Sequence, residues 1–299
     1  MSRTVKILAA TALIAGVLVT GTSSGARGQV VYWGYAMTPG GADPVHGGIG
    51  RMTVDGTDVR RKFIAGSAVS GTFGLAVDGS HIYWANWGGR RTIGRANLES
   101  TGATDFIKGA TTPGGLAVNT SHIYWGNLGQ GDTGTTIGRA NLDGTGVTQR
   151  FITGARGPCG LAVDAKHIYW SNFGANNTGT TIGRANLDGT GVNESFIKGA
   201  QAPCGIAVDT KHIYWTNFGA QSNGTTIGRA NLDGTGVTQR FISGLDPGVE
   251  GLAVDARFIY WLNYGGYALG RANLDGTDVR QFFVPHLNAP SAGGIVSVP

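Results

Sequence analysis

Cysteine and charged residues are scarce in this chain, and each shortage excludes a class of protein. Among 299 residues there are 2 cysteines, and only 14% are Asp, Glu, Lys or Arg. Two cysteines cannot build a disulfide-dense small domain or a four-cysteine zinc site. The formal net charge is +5 and basic residues form no long run, so we expect no nucleic-acid partner. A hydrophobic fraction of 41% is enough for a packed core and excludes a disordered polyelectrolyte.

Long hydrophobic runs are also missing, except at the N-terminus. Arg3 and Lys6 precede an apolar or small segment at 7–20, and Ser24-Gly25-Ala26 fits the small-x-small pattern that signal peptidase cuts. We therefore predict a secretory signal at residues 1–26; a buried N-terminal helix and an uncleaved anchor are the alternatives. No later stretch is as long as a membrane span, so we expect none in the mature chain. We predict a secreted protein, periplasmic or cell-surface if the source is bacterial.

The sequence has instead a unit that is repeated six times. Its marker is the dipeptide Tyr-Trp, which begins at Tyr32, Tyr83, Tyr124, Tyr169, Tyr214 and Tyr260. Each unit contains four short runs rich in Val, Ile, Tyr, Phe and Trp, which predict four strands. Asp-Gly usually separates the third and fourth runs and favours a tight hairpin, whereas the second unit has Glu99-Ser100 and should turn less tightly. No sustained 3.6-residue period follows the N-terminal segment, so helix should be nearly absent.

Four-stranded units spaced 41 to 51 residues apart are typical of β-propeller blades. The residues before Tyr32 and after Tyr260 together make one further repeat, and the segment at 294–298 matches the Gly-Leu-Ala-Val-Asp strand that the first unit lacks. We therefore predict an all-β, six-bladed propeller at residues 27–299, with four-stranded antiparallel blades. The C-terminal strand should complete the first blade and close the ring. An open solenoid, the alternative, would need polar capping repeats, and none is visible.

The repeats resemble the YWTD, or class B, repeats of the low-density lipoprotein receptor. The nearest match is Tyr214-Trp215-Thr216-Asn217, followed by Ile-Gly-Arg-Ala-Asn-Leu-Asp-Gly at 227–234. The resemblance covers the whole predicted propeller and implies a rigid, non-enzymatic recognition platform, but it does not name a ligand. One departure is systematic, since the Asp of YWTD is replaced at Asn86, Asn127, Asn172, Asn217 and Asn263. The family's Cys-rich growth-factor-like modules and membrane span are not in this sequence, so receptor biology does not carry over.

Function should lie where the repeats differ, on the face formed by the connections between second and third strands and between blades. We call this the loop face. The first set of connections is long at 35–48, 129–135, 174–180 and 219–225 and short at 87–91 and 264–268. Five of them follow a large apolar residue: Trp87, Leu128, Phe173, Phe218 and Tyr264. This ring can stack on a flat apolar or carbohydrate ligand, or it can plug the gaps between blades.

The position before each Gly-Leu-Ala-Val segment, here called the channel-mouth position, is the least uniform of all. Its occupants are Phe73, Gly114, Cys159, Cys204, Glu250 and Gly293. Glu250 and Arg156 are the only charges that we expect near this ring. Uneven decoration of a symmetric ring indicates either ligand selection or drift. Our candidate ligand-binding residues are therefore Trp87, Phe173, Phe218, Tyr264, Phe73, Arg156 and Glu250.

The two cysteines occupy equivalent positions in consecutive blades. Equivalent points in neighbouring blades of a six-fold ring are separated by a distance equal to the ring radius. A disulfide needs Cα atoms roughly 4.4–6.8 Å apart. A bridge between Cys159 and Cys204 therefore forms if the channel mouth has about that radius. The alternative is a pair of buried free thiols copied with a duplicated blade.

Other polar residues recur with the repeat. The third-strand arginines, with the second-strand Asn residues beside them, indicate a cross-strand hydrogen-bond ladder, or alternatively an anion-binding ring. Histidines follow the turn between first and second strands at His81, His122, His167 and His212. They should lie on separate blades, opposite the loop face, and too far apart to share an ion. Asp132 is a single carboxylate, whereas calcium prefers six or more oxygens, so we predict no cofactor and keep calcium as an alternative.

Two functions fit these features. The first is a monomeric binding module that presents its loop face to a protein or glycan. The second is a propeller enzyme, of the lactonase or lyase type, with a metal in the central channel. Such an enzyme needs several Asp, Glu, Asn or His side chains converging on the channel, and the channel-mouth position supplies only Glu250. We therefore favour binding.

Overall fold

The computed structural model describes residues 29–35, 47–87, 90–287 and 290–298. In these residues, 24 strands form six four-stranded antiparallel sheets, which stand as blades around a ring. This confirms the predicted six-bladed propeller. Helix is limited to three 3-10 turns, η1 (Gln130–Asp132), η2 (Ala175–Asn177) and η3 (Ala220–Ser222), as expected. The predicted signal peptide and the first blade's loop at 36–46 lie outside the described residues.

Each blade contains four strands, and the first three blades have the following bounds. Blade 1 comprises β1 (Val30–Tyr35), β2 (Gly48–Thr53), β3 (Arg60–Ala65) and the last strand, β24 (Pro290–Val298). Blade 2 comprises β4 (Thr72–Val77), β5 (His81–Asn86), β6 (Thr92–Asn97) and β7 (Thr104–Lys108). Blade 3 comprises β8 (Pro113–Val118), β9 (His122–Asn127), β10 (Thr136–Asn141) and β11 (Thr148–Thr153).

The remaining blades follow in chain order. Blade 4 comprises β12 (Pro158–Val163), β13 (His167–Asn172), β14 (Thr181–Asn186) and β15 (Asn193–Lys198). Blade 5 comprises β16 (Pro203–Val208), β17 (His212–Asn217), β18 (Thr226–Asn231) and β19 (Thr238–Ile242). Blade 6 comprises β20 (Val249–Val254), β21 (Phe258–Asn263), β22 (Ala268–Asn273) and β23 (Arg280–Val284).

The first blade is assembled from both ends of the chain. β24 pairs antiparallel with β1, with Val30 opposite Val298 and Trp33 opposite Ile295. β24 also packs beside β20 and β4, which are the innermost strands of the neighbouring blades. The C-terminal strand therefore completes blade 1 and closes the ring, as predicted.

The repeated Trp packs inside the ring, and a repeated Gly makes room for it. Trp215 is fully buried on β17 and lies opposite Gly228 on β18. A Cβ atom at Gly228 would overlap the indole ring of Trp215, so this position admits no larger residue. The same relationship holds in the other blades, whose fully buried tryptophans are Trp33, Trp84, Trp125, Trp170 and Trp261. Each buries an aromatic side chain of roughly 150–250 Å².

The Asn that replaces the Asp of YWTD ties three segments together. Asn217 is buried, and its Oδ1 accepts a hydrogen bond from the backbone N–H of Gln201 at 2.9 Å. Its Nδ2 donates to Thr226 Oγ1 at 3.0 Å and to the Gln239 carbonyl at 2.8 Å. An amide can donate and accept at once, whereas a carboxylate only accepts. Asn therefore suits this position better than Asp, because its Nδ2 donates to one hydroxyl and one carbonyl oxygen.

The third-strand arginines form no ladder with these Asn side chains. Arg229 lies opposite Tyr214 in the sheet, whereas Asn217 lies opposite Thr226. The Arg229 guanidinium stacks over the ring of Phe241 at 4.0 Å, and equivalent stacks occur for Arg95, Arg139, Arg184 and Arg271 at 3.9–4.0 Å. Some also donate to the next blade, as Arg271 Nη1 does to the Val54 carbonyl at 3.0 Å. The predicted Arg–Asn ladder is wrong because the two residues face different partners.

The turns opposite the loop face are held by the residue that follows the first strand, which is Asp in blades 2, 4, 5 and 6 and Asn119 in blade 3. Asp209 Oδ1 accepts from the backbone N–H groups of Lys211 and His212, and its Oδ2 accepts from the hydroxyl of Tyr214 at 2.9 Å. Burial, followed by the Asp209 charge, raises the pKa of Tyr214. The His212 side chain, partly exposed, lies beside this turn with Nδ1 3.7 Å from Asp209 Oδ1. The turn histidines thus lie one to a blade, at the end of the sheet away from the loop face.

The hairpins between third and fourth strands are tight in every blade. Gly144 takes φ +87°, which suits the Asp-Gly turn. In blade 2, Ser100 takes φ +67° and makes the same hydrogen bond, from its N–H to the Asn97 carbonyl at 2.9 Å. The looser turn expected at Glu99-Ser100 is therefore wrong, because Ser100 accepts the left-handed conformation that Gly occupies elsewhere.

Candidate functional site

The innermost strand of each blade brings the channel-mouth position to the loop face. On β4, β8, β12, β16 and β20 this position is the second residue of the strand, close to the connection from the preceding blade. Consecutive innermost strands are in contact around the ring. Side chains at this position therefore converge on the channel mouth, although they come from different repeats.

A cavity of about 170 Å³ lies at this mouth. Its lining consists of Phe73, Trp87, Leu128, Asp132, Cys159, Phe173, Cys204, Phe218 and Glu250. Four of the channel-mouth residues thus meet members of the apolar ring that follows the second strands. Apart from two carboxyl groups, the walls are aromatic, aliphatic or sulfur.

A disulfide forms part of this wall. Cys159 and Cys204 are bonded, with their Cα atoms 5.1 Å apart. That separation lies within the range that a bridge requires. The bond joins the innermost strands of blades 4 and 5, where Ser171 Oγ also donates to the Cys204 carbonyl at 2.6 Å. This side of the channel mouth is therefore tied covalently and by hydrogen bonds.

Glu250 is the buried acid of the cavity. Only 4% of the residue is exposed, and Oε2 has no hydrogen-bond partner among the described residues. Burial raises the pKa of Glu250 to about 8, because the carboxylate form loses its hydration. Its backbone is fixed from the neighbouring blade, since Thr216 Oγ1 donates to the Glu250 carbonyl at 2.7 Å. A carboxyl group with this pKa can take up or release a proton near neutral pH.

Asp132 is a second carboxyl group in the wall, and it comes from η1 rather than from an innermost strand. Burial raises its pKa as well. The sequence offered Asp132 only as an isolated candidate for calcium. The backbone path of the loop after β9 places it at the cavity, and spacing alone does not reveal that path.

The apolar ring divides into buried and exposed members. Leu128, Phe173 and Phe218 are at most 8% exposed, and the rings of Phe173 and Phe218 lie 5.7 Å apart. Trp87 and Tyr264 are each 48% exposed. The buried three precede the long connections that carry η1, η2 and η3, whereas the exposed two precede the short ones. Among the described residues, a buried apolar residue thus accompanies a long connection and an exposed one accompanies a short connection.

Two of the candidate residues lie apart from the cavity. Tyr264 is not in its lining and pairs instead with Tyr267, with ring centroids 6.5 Å apart. Arg156 is exposed. Burial raises the pKa of Glu194, and the positive charge of Arg156 offsets a part of that shift. Sequence reasoning also missed two exposed aromatic residues on blade 6, Tyr267 and Phe282, which are 42% and 56% exposed.

The described residues contain no cluster of three or more His, Cys, Asp or Glu side chains placed to hold a metal ion. None of their helices has the length and apolar character needed to cross a bilayer.

Comparison with solved structures supports the propeller fold. A chain of the nidogen–laminin complex matches with a TM-score of 0.66 at 18% identity, covering 90% of this chain and 97% of that one. Streptogramin B lyase matches with a TM-score of 0.56 at 17% identity, covering 76% of this chain and 73% of its own. At these identities the likeness establishes the fold alone. No protein-family model matches the chain, and no curated protein matches its sequence.

Proposed function

We propose that this chain is a secreted, non-enzymatic recognition propeller whose loop face binds a protein or glycan ligand. The observation that carries the proposal is the position of Trp87. This side chain is 48% exposed and lies at the edge of an apolar cavity in the channel mouth. A half-exposed Trp beside a concave apolar surface is the kind of anchor that dominates binding interfaces.

Further exposed aromatic side chains support the same face as a binding surface. Tyr264 and Tyr267 are exposed in the short connection of blade 6, and Phe282 on β23 is 56% exposed. Tyr and Trp combine a large apolar area with a polar group and lose little conformational entropy on binding. They also stack on sugar rings, so both ligand classes fit the surface. One of the structural neighbours is itself part of a protein complex, nidogen with laminin.

A second function, catalysis of the lyase or lactonase type, is favoured by one observation. Glu250 is a buried acid with a pKa raised to about 8, and it lies in a cavity. Such a group is suited to general acid–base catalysis. Streptogramin B lyase, another structural neighbour, is an enzyme by name. We rank this function second because the cavity wall is otherwise dominated by apolar side chains.

The two functions predict different effects of substitution at Trp87. If the loop face binds a macromolecule, W87A should weaken binding by about tenfold or more, since interface Trp residues are common hot spots. Binding of the mature protein to immobilised extracellular proteins is measured by biolayer interferometry. Binding to glycans is measured on a glycan array. V237A is the matched control, because Val237 is 42% exposed but lies in the hairpin at the opposite end of blade 5. Equal binding by W87A and wild type would contradict the proposed surface.

Turnover tests the second function. The recognition proposal expects no lactonase or lyase activity above the uncatalysed rate, with or without added calcium. Hydrolysis or elimination that E250Q abolishes while W87A retains it would replace the proposal by catalysis. The melting temperature of E250Q, measured alongside, separates loss of chemistry from loss of the fold.

A further inference from the structure

The innermost strands of the six blades contain a single Asp, Glu, Lys, Arg or His, and it is Glu250. The sequences of β4, β8, β12, β16 and β24 are Thr-Phe-Gly-Leu-Ala-Val, Pro-Gly-Gly-Leu-Ala-Val, Pro-Cys-Gly-Leu-Ala-Val, Pro-Cys-Gly-Ile-Ala-Val and Pro-Ser-Ala-Gly-Gly-Ile-Val-Ser-Val. The repeat therefore does not require an acid at this position. Glu250 breaks the symmetry of the channel at one point.

In the described part of the chain, no hydrogen bond joins Oε2 of the Glu250 carboxyl group to a neighbouring blade. Thr216 bonds the backbone carbonyl of Glu250, not its side chain. Oε2 is buried and has no partner in the described part of the chain, while the residue lines the cavity. A buried polar atom without a partner is costly, and native structures retain few of them. A ligand in the cavity would supply the missing hydrogen-bond donor.

The walls around this carboxyl restrict the chemistry of such a ligand. Phe73, Phe173, Phe218 and Trp87 are aromatic, and Leu128 and the disulfide are apolar. Aromatic rings attract cations as well as apolar groups. The volume, about 170 Å³, is close to that of cavities which hold one benzene-sized molecule, about 150 Å³.

We propose that this cavity binds a primary ammonium group on a short apolar arm, with the ammonium donating to Glu250 and the arm lying against the aromatic walls. The inference rests on the proposed function, because it names what the channel mouth recognises. The same chemistry has two sources: a free alkylamine, or a lysine side chain presented by a protein ligand.

Ionisation of Glu250 gives the proposal a pH signature. With a pKa of about 8, the carboxyl is roughly 1% ionised at pH 6 and half ionised at pH 8. A primary alkylammonium stays protonated throughout this range. Ammonium affinity should therefore rise about 50-fold from pH 6 to pH 8. A neutral ligand that accepts a hydrogen bond from the protonated acid would show the opposite slope.

Few other ionisable groups face Glu250. Asp132 lines the same cavity, and burial raises its pKa from the ordinary Asp value. On β16 the only candidate is Cys204, which is bridged, and β24 contains none. On β17 and β21, the hydroxyl groups of Tyr214 and Tyr260 donate hydrogen bonds to Asp209 and Asp255. These two Asp residues precede the strands and lie at the end away from the loop face. His212 is beside the same Asp209.

The test is calorimetric titration of the mature protein with n-butylammonium chloride between pH 6 and pH 8. n-Butanol and butyramide serve as neutral probes of the same length. E250Q should weaken butylammonium binding at least tenfold at pH 8. The matched control is E194Q, which removes one partly buried carboxylate elsewhere, at a position where the neighbouring blades have Gln149 and Gln239. E194Q should bind as wild type does.

The pH dependence of butylammonium binding is measured on the wild-type protein. It therefore tests the proposal even if E250Q fails to fold. Rising butylammonium affinity, with weak binding of both neutral probes, supports the proposal. Absence of binding at millimolar concentration, or tighter binding of butyramide at pH 6 than at pH 8, overturns it. To separate the sources, the peptide acetyl-Gly-Lys-Gly-amide is titrated beside its Nε-acetylated form. Binding of the lysine peptide alone indicates a protein ligand, and binding of butylammonium alone indicates a free amine.

Failure here differs from failure of the proposed function. If macromolecular binding depends on Trp87 but no amine binds, the proposed recognition surface is supported and the proposed ammonium site is contradicted. If butylammonium binds through Glu250 but W87A has no effect on any macromolecule, the site stands as a small-molecule pocket.

Discussion

Trp170 Nε1 donates a hydrogen bond to Glu194 Oε2 at 3.1 Å, in the position where Trp125 and Trp215 donate to the amide oxygens of Gln149 and Gln239. The same indole group is thus satisfied by a carboxylate in blade 4 and by a neutral amide in blades 3 and 5. Burial raises the pKa of Glu194, although the bonds from Trp170 and Asn172 oppose the shift. We therefore expect ionisation of Glu194 to cost stability, a cost that the neutral amides of Gln149 and Gln239 avoid.

E194Q should stabilise the protein at neutral pH. Since the folded-state pKa of Glu194 lies above its unfolded value, ionisation costs stability as pH rises through that interval. The gain should be near zero at pH 4, increase toward pH 7.5, and not exceed about 1 kcal/mol, because the group is only half buried. Thermal unfolding at the two pH values measures it. A difference in melting temperature that does not change with pH would contradict this explanation.

N217D should destabilise the fold strongly. The new carboxylate oxygen would face the Gln239 carbonyl, which now accepts from Asn217 Nδ2 at 2.8 Å. Burying an unpaired charge beside an acceptor costs about 3 kcal/mol or more. The loss should shrink at low pH, where the acid is protonated and can donate. Denaturant unfolding gives the free energy.

N231D is the control for that experiment. Asn231 is exposed at the end of β18, and its Nδ2 donates to Thr235 Oγ1 at 2.9 Å, a hydroxyl that can reverse its role. A change within about 0.5 kcal/mol is expected for this variant. Equal losses in N217D and N231D would mean that the buried network is not the cause.

Removal of the disulfide should lower stability by about 3–4 kcal/mol, because the bond closes a loop of 45 residues in the unfolded chain. The comparison is wild type against C159A/C204A by guanidinium unfolding, with reduced wild type as the second reference. Protein from an oxidising compartment should show no free thiol in denaturant before reduction and two after it. Two thiols before reduction would rule out the bridge.

Ending the chain after Leu287 should remove β24 and leave β1 as an open edge. Exposed edges of this kind pair with other chains, so we expect oligomers or aggregates in place of a monodisperse species. Size-exclusion chromatography with light scattering measures this. A synthetic peptide of residues 290–299, added during refolding, should restore the monodisperse species. A truncated protein with unchanged melting and mass would show that β24 is dispensable.

The blades were predictable because each one repeats the same solution. Trp215 and Gly228 recur together in the sequence, and one packing relationship explains both. Strand register was harder to predict. Arg229 and Asn217 lie on neighbouring strands of the same repeat, yet Arg229 stacks on Phe241 and Asn217 donates a hydrogen bond to Thr226. The register between the two strands decides which residues are opposite each other, and the repeat pattern does not give that register.

The candidate site was predictable only in part, because it depends on departures from the repeat. Glu250 and Cys159 were visible as exceptions at the channel-mouth position. Phe173 and Trp87 occupy the same position in their units, but one is buried and the other half exposed. The difference accompanies a difference in the length of the connection after each residue, and the course of the loop after β9 brings Asp132 to the cavity. No local pattern encodes such a course.

Blade 1 has a consequence for the order in which the protein folds. Blades 2 to 6 are each made from four consecutive strands, so each can form as soon as its own residues are available. Blade 1 cannot, because Val30 must find Val298. Such a distant pairing is slow, and β1 stays without its inner neighbour until almost the whole chain has been released. A chaperone that shields β1–β3 during synthesis would therefore act on the blade that is completed last.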